Sequence, residues 1–110
     1  MPKFVALFSV ESAALSRLIE HPEDRKGAVG KLVEVAGGKL LEYFWMFGQY
    51  DGMVIMEVPD SKTAAAIILA VASTGAFKHL ETHELIDSGD LVAIADKAQA
   101  LRGSYRAPGA

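Results

Sequence analysis

The sequence predicts an α+β protein with the ferredoxin-like order β-α-β-β-α-β, followed by one more helix. Four segments rich in β-branched and aromatic residues are separated, in three places, by segments with helical spacing or by a short glycine-bounded loop. The loop joins two strands directly, whereas the other connections are long enough to hold crossover helices. Right-handed crossovers place the helices on one face of a single sheet.

The first third of the chain is predicted to hold one strand and two helices. Lys3–Val10 is a strand whose two sets of alternating side chains are both mostly apolar, which predicts that both faces of the sheet are covered. Ser12 is expected to cap a short helix that ends near residue 19. A longer helix is predicted over residues 22–36, because proline followed by acidic residues is a typical start and Gly37–Gly38 a typical end.

The middle of the chain predicts a β-hairpin followed by a helix. Its strands are Lys39–Phe47 and Met53–Val58, and the five residues Gly48–Gly52 form the loop. Asp60 is the expected N-cap of a helix that continues to about Thr74. That helix is rich in alanine and apolar on nearly every side, so we expect it to be buried or closely covered.

The last third predicts a strand over Phe77–Ile86 and a final helix from Ser88 to about Leu101, capped by Asp87. Residues 1–102 are therefore predicted to form a single domain, and residues 103–110 a flexible tail.

Composition limits the classes of function. The chain has 110 residues, a net charge of −3 and no cysteine. An acidic balance argues against a nucleic-acid surface, and the lack of cysteine removes disulfides and thiolate metal sites. The longest apolar run, Ala64–Ala72, is far shorter than the roughly 20 residues that span a bilayer. We expect a soluble, cytoplasmic protein without a cofactor.

The apolar character of both strand faces predicts self-association. The crossover helices can shelter only one face of the sheet, so a second subunit is the simplest cover for the other. We predict a homodimer whose sheets meet in a barrel-like core, with a trimer built on sheet edges as the next choice.

Several segments together resemble the GYD domain family. The element itself stands at Gly48–Gly52, and Pro22–Arg25, Gly37–Leu40 and the stretch Ala64–Thr82 match further parts of the pattern. The resemblance covers roughly residues 3–100. It implies a ferredoxin-like fold of the dimeric α/β-barrel type, and it implies no particular biochemical activity.

Within the GYD element, turn chemistry is the simpler interpretation. Asp51 would accept hydrogen bonds from amides of its own turn, Gly48 and Gly52 would supply positive φ, and Tyr50 would pack over the hairpin. In the functional interpretation, Tyr50 and Asp51 lie at a pocket mouth or a subunit contact.

The aromatic residues of the second strand form another candidate site. Tyr43, Trp45 and Phe47 share one face, with Phe44 on the other. Core packing is the expected role, and a cavity for a small apolar ligand is the alternative. Arg25 fits the helix N-terminus poorly, which suggests a carboxylate partner such as Asp51, or a ligand anion. A surface salt bridge, which would contribute little to stability, is the simpler interpretation.

The fourth predicted strand carries His79, Glu81 and His83 on one side. Along a strand the two histidines lie roughly 13 Å apart, too far for one metal ion. His79 and Glu81 are about 6.6 Å apart by the same reasoning, and they remain a weaker candidate pair for a metal or for acid–base chemistry.

The sequence contains no nucleophile–base set and no phosphate-binding glycine loop. We therefore predict a non-enzymatic, small-molecule-binding or structural and regulatory protein. Its candidate ligand-binding residues are Arg25, Tyr43, Trp45, Tyr50, Asp51 and His79. A cofactor-independent oxygenase or isomerase acting on an apolar ring compound is the first alternative, and a metal-ion-binding protein is the second.

Overall fold

The computed structural model describes residues 1–110 and has the predicted ferredoxin-like α+β fold. One antiparallel sheet has the order β2-β3-β1-β4, with β1 (Lys3–Val10), β2 (Lys39–Trp45), β3 (Gly52–Glu57) and β4 (Phe77–Leu85). The helices are α1 (Ser12–Glu20), α2 (Arg25–Val35), α3 (Ser61–Ala72) and α4 (Leu91–Arg102), and a 3-10 turn (Ser88–Asp90) precedes α4.

The central strand β1 divides the sheet into two unlike faces. On one face its side chains Phe4, Ala6 and Phe8 are buried, as are their neighbours Val54 and Met56 on β3. Helices α1, α2 and α3 all pack here, and we call this the helix-covered face. We call the other side the open face; it carries Val5, Leu7, Met53, Ile55 and Phe44 in its centre and on its β2 side. No helix of the chain lies over it, so the predicted cover on both faces is not supplied within one chain.

The core between the helices and the sheet has two adjoining parts. In the first, Val33 of α2 and Ile67 of α3 pack on Met56, which is 1% exposed. In the second, nearer the GYD loop, Phe8 packs with residues that include Ala14 of α1 and Ile68 of α3. Both parts lie on the helix-covered face, because apolar side chains of α2 and α3 leave water only on the side that meets the sheet.

Helix starts follow the capping side chains. Helix α2 begins at Arg25 and not at Pro22, because the Asp24 side chain accepts a hydrogen bond from the Lys26 amide at 2.9 Å. Asp60 caps α3 as predicted, at 2.8 Å from the Thr63 amide. Ser12 is the first residue of α1 and not its cap.

Two further helices and one strand differ from the sequence-based prediction. Only Ala64 and Ile67 of α3 are buried, and Leu69 is largely exposed, because the sheet covers a single stripe of this helix. Asp87 makes no side-chain capping bond, and a 3-10 turn takes the place of the first helical turn after it. Strand β2 ends at Trp45, so Phe47 lies in the loop.

Helix α4 stands apart from the domain. All of its residues are exposed, and its only substantial contacts are with the 3-10 turn before it. The radius of gyration is 17.8 Å, whereas a compact chain of this length is expected to have about 13 Å. None of the helices combines the length and the apolar character that crossing a bilayer requires.

Candidate functional site

The GYD loop is fastened to the end of β1 through Asp51. Its carboxylate oxygen Oδ2 accepts a hydrogen bond from the Val10 amide at 2.8 Å, and its own amide donates to the Phe8 carbonyl at 2.8 Å. The Ser9 hydroxyl donates to the Gln49 carbonyl at 3.0 Å. Asp51 therefore bonds to a neighbouring strand at its bulge, where the sequence had suggested amides of its own turn. These bonds attach the loop to the end of the sheet.

The two loop glycines serve different purposes. Gly48 has φ of +144°, which L-residues rarely adopt. Gly52 has no positive φ, and its missing side chain makes room for Phe8, whose ring a Cβ atom at this position would overlap. The sequence-based explanation of positive φ therefore holds for Gly48 alone.

Aromatic rings surround Phe8 on the helix-covered face. Tyr43, Trp45 and Phe77 meet it edge-to-face, with ring centroids 5.5 to 5.9 Å away. Such pairs stabilise a core beyond the area that they bury. Burial raises the pKa of the Tyr43 hydroxyl, and the positive charge of Arg25 partly opposes that effect. Arg25 pairs with Glu23 at 2.6 Å, and not with Asp51 as suggested from the sequence.

On the opposite side of the sheet, three polar side chains meet around Glu81. Tyr50 Oη donates to Glu81 Oε1 at 2.9 Å, and His83 Nε2 lies 2.8 Å from Glu81 Oε2. His79 Nε2 is 3.5 Å from Oε1, and the His79 ring stacks on Tyr50 with centroids 5.9 Å apart. We call Tyr50, His79, Glu81 and His83 the Glu81 cluster.

Hydrogen bonding shifts the pKa values of two groups in this cluster, Glu81 and Tyr50. The pKa of Glu81 is lowered by its hydrogen bonds, first from His83 and then from Tyr50 and His79. The pKa of Tyr50 is raised, chiefly because its hydroxyl donates to Glu81. The Glu81 side chain is 35% exposed and both histidines are more than half exposed. The cluster is therefore a solvated surface feature in which one carboxylate is surrounded by a tyrosine hydroxyl and two imidazoles.

The predicted site residues do not converge on one pocket. Tyr43, Trp45 and Arg25 lie on the side of the helices, whereas Tyr50 and His79 lie over the open face, with Asp51 at the end of the sheet between them. A cavity that Trp45 and Tyr50 both line, which the oxygenase or isomerase alternative requires, would have to reach around the sheet.

Two depressions of the surface lie elsewhere. A notch of about 610 Å³ separates α4 from the start of β1, and a groove of about 490 Å³ runs between α2 and α3. Neither is lined by any of the six predicted ligand-binding residues. No three His, Asp or Glu side chains lie close enough together to hold a metal ion, and the metal alternative therefore lacks the usual ligand number.

Sequence reasoning placed His79, Glu81 and His83 on one side of a strand, and the register confirms that they share the open face. It missed Glu81 as the centre of the cluster and the bond from Tyr50. The sequence did indicate part of the cluster, because alternate positions of β4 carry His79, Glu81 and His83. The partner from the loop, 31 residues away in sequence, could not be found without the strand order.

The sheet order, the three helices on one face and the exposed polar cluster define a small ferredoxin-like protein with one uncovered sheet face. The chain belongs to the GYD domain family, whose sequence model matches residues 4–95.

Comparison with known proteins gives one curated relative and several similar structures. A protein of Thermus thermophilus, named glutamine synthetase and cystathionine beta-lyase binding protein, is 30% identical over 93 residues, which are 84% of this chain and 97% of the relative. The crystal structure of TTHA0845 from Thermus thermophilus superposes with a TM-score of 0.53 at 15% identity, over 80% of this chain and 96% of that one. An uncharacterized NIPSNAP domain protein from Burkholderia xenovorans gives a TM-score of 0.49 at 12% identity, over 80% and 95% of the two chains. The TTHA0845 comparison supports the fold.

Proposed function

We propose that this protein is a non-catalytic binding protein that regulates a partner enzyme by docking on it. The observation that carries the proposal is the tip of the β2–β3 hairpin. Phe47 is 102% exposed there, and Phe44 and Trp45 beside it are nearly half exposed. Aromatic residues are enriched in protein interfaces and among the residues that contribute most to binding. The tip exposes three of them: Phe47 in the loop, Phe44 on the open face and Trp45 on the helix-covered face.

The tip is suited to recognition because it is held in place. Asp51 and Ser9 fasten the loop to β1, so little conformational freedom is lost when a partner binds. Tyr50, which precedes Asp51 in the loop, belongs to the Glu81 cluster. This cluster adds a carboxylate and two imidazoles on the open-face side of the tip. An aromatic anchor with a charged border is the usual composition of an interaction surface.

The named relative supports the choice of an enzyme as the partner. It is called a binding protein for glutamine synthetase and cystathionine beta-lyase, and nearly its whole length aligns with this chain. We therefore propose enzymes of these two kinds as partners.

We further propose that the protein acts as a homodimer in the cytoplasm. The open face exposes apolar residues that the helices of the same chain do not cover. A second copy related by a two-fold axis would cover this open face, and its own open face would be covered by the first copy. The space between the two sheets would be the place for a small apolar ligand.

The test uses purified glutamine synthetase and cystathionine beta-lyase from the organism that supplies this chain. Calorimetry with the wild-type protein should detect binding to at least one of them, and Phe47→Ala should weaken it roughly thirtyfold or more, as expected for an interface anchor. Leu69→Ala is the matched control, because Leu69 is also an exposed apolar residue but lies on α3. Absence of binding to both enzymes, or equal binding by the two variants, would refute the proposal.

A further inference from the structure

Helix α4 lacks the partner that its sequence requires. It has 12 residues, and its large apolar side chains are between 40% and 72% exposed. Isolated helices of this length are marginal in water, because nucleation is costly and each further residue contributes little. A surface that packs against α4 is therefore needed to hold it in the helical state.

Four apolar residues of α4 form a seam on one side of the helix. Leu91, Ile94, Ala98 and Leu101 recur at spacings of three and four. This is the spacing with which one helix packs against another apolar surface. Asp96 and Gln99 project away from the seam, and Val92 is the one large apolar residue of α4 that lies on their side.

The position of α4 relative to the sheet suggests what covers it. The notch of about 610 Å³ is lined by Ile94 and Lys97 of α4 on one side and by Lys3 and Leu85 on the other. Lys3 and Leu85 are paired residues of β1 and β4 on the open face. The seam of α4 and the open face are therefore neighbouring parts of one concave surface at this end of the sheet.

The chain exposes more area than a compact monomer would. The chain exposes 7855 Å², whereas a compact monomer of its mass, 11.8 kDa, is expected to expose about 5,900 Å². The excess of roughly 1,900 Å² comes from α4 and from the exposed residues after it, and it is more than twice the ~800 Å² that each partner buries in a standard stable interface. A second copy fits because each chain offers both an open face and a free helix, which is the self-complementarity of a two-fold interface.

We propose that α4 is an exchanged arm, which in the homodimer packs on the second copy and not on its own domain. The inference rests on the homodimer of the proposed function, and adds the contact that closes it. It is independent of the hairpin tip, since Phe47 and α4 lie at opposite ends of the sheet.

The first test compares two double variants of α4 by sedimentation over a dilution series. Ile94→Glu with Leu101→Glu charges the seam and should weaken the dimer roughly a hundredfold or more, because two buried apolar contacts are lost. Val92→Glu with Ala100→Glu adds the same charge off the seam and should leave dimerisation unchanged. Equal dimerisation by both variants would overturn the proposal that α4 is an exchanged arm.

The second test replaces Leu101 by the photo-crosslinker p-benzoylphenylalanine in the full chain. Illumination should give a product with the mass of two chains. A product confined to one chain would show that α4 folds back on its own domain, and crosslinking only to an added partner enzyme would assign the seam to that enzyme. Either result would overturn the proposal.

A third variant separates the failure of the arm from that of the proposed homodimer. Ile55→Lys charges the open face and leaves α4 unchanged. If Ile55→Lys dissociates the dimer and the seam variant does not, the exchanged arm is refuted and the proposed homodimer is supported. A monomeric wild-type protein would refute both proposals. Enzyme binding through Phe47, measured on the same samples, decides the rest of the proposed function separately.

Discussion

The two faces of the sheet differ in what completes them. On the helix-covered face, Phe4 and Met56 are almost entirely buried by helices of the same chain. On the open face, Val5 and Ile55 in the same strands are only partly buried, although they are equally apolar. Adjacent residues of one strand therefore lie in different environments. One face is completed by helices of the same chain, and the other is the face on which we propose that a second copy packs.

The largest effect on the free energy of unfolding is expected when neighbouring residues on the two faces, Met56 and Ile55, are each replaced by alanine. Met56→Ala removes a fully buried side chain and should lower the free energy of unfolding by about 2–5 kcal/mol. Its cost should not depend on protein concentration, because the contacts are within one chain. Ile55→Ala should cost less in dilute protein and more as the concentration rises, because association contributes to the stability of a dimer. Chemical denaturation at several concentrations measures both, and a concentration-independent loss for Ile55→Ala would contradict this division.

A smaller effect is expected at the end of the sheet, where the faces meet. Asp51→Ala leaves the Val10 amide without its acceptor, and we expect a loss of about 1–3 kcal/mol, the usual cost of an unsatisfied buried group. Asp51→Asn keeps an acceptor oxygen and should lose less. Denaturation, together with amide exchange at Val10, provides the measurement. Unchanged stability with lost enzyme binding would instead make Asp51 a ligand-binding residue.

The smallest effect concerns the Glu81 cluster and its dependence on pH. Because hydrogen bonds lower the pKa of Glu81 in the folded protein, its stabilising contribution is present above the ordinary carboxyl value and is lost as the pH falls through the lowered one. Glu81→Gln should remove this acid-side loss, and Tyr50→Phe should raise the pKa of Glu81 part of the way. Carboxyl titration by NMR tests the shift. Glu84→Gln, which leaves the cluster intact, should behave as the wild type.

The sequence was sufficient to predict the fold because its local signals agree with the tertiary structure. The β-branched and aromatic residues of Lys3–Val10, the glycines around the hairpin and the Asp60 cap each specify an element, and the strand order follows from the crossover rule. The errors were local. At the start of α2, the Asp24 cap overrode the proline signal at Pro22.

The candidate site was predictable only residue by residue. Tyr50 and His79 were selected from the sequence, and they do stack. Arg25 and Asp51 were suggested as partners, but Arg25 pairs with Glu23 and Asp51 accepts a hydrogen bond from the Val10 amide. The sequence could not show this, because the distances between side chains depend on the strand order and on the position of the helix. The isolation of α4 left no trace in the sequence, since a helix that packs on its own domain and one that packs elsewhere have the same apolar spacing.

The pairing of β1 with β4 has a consequence for folding. Lys3 pairs with Leu85, so the centre of the sheet joins the two ends of the domain in sequence. Contacts of such separation slow the search for the native state. On the ribosome, β1 can pair with β3 once the middle of the chain has emerged, but its other edge stays unpaired until nearly the whole domain has been synthesised. An unpaired apolar strand edge of this kind is prone to aggregation during that interval.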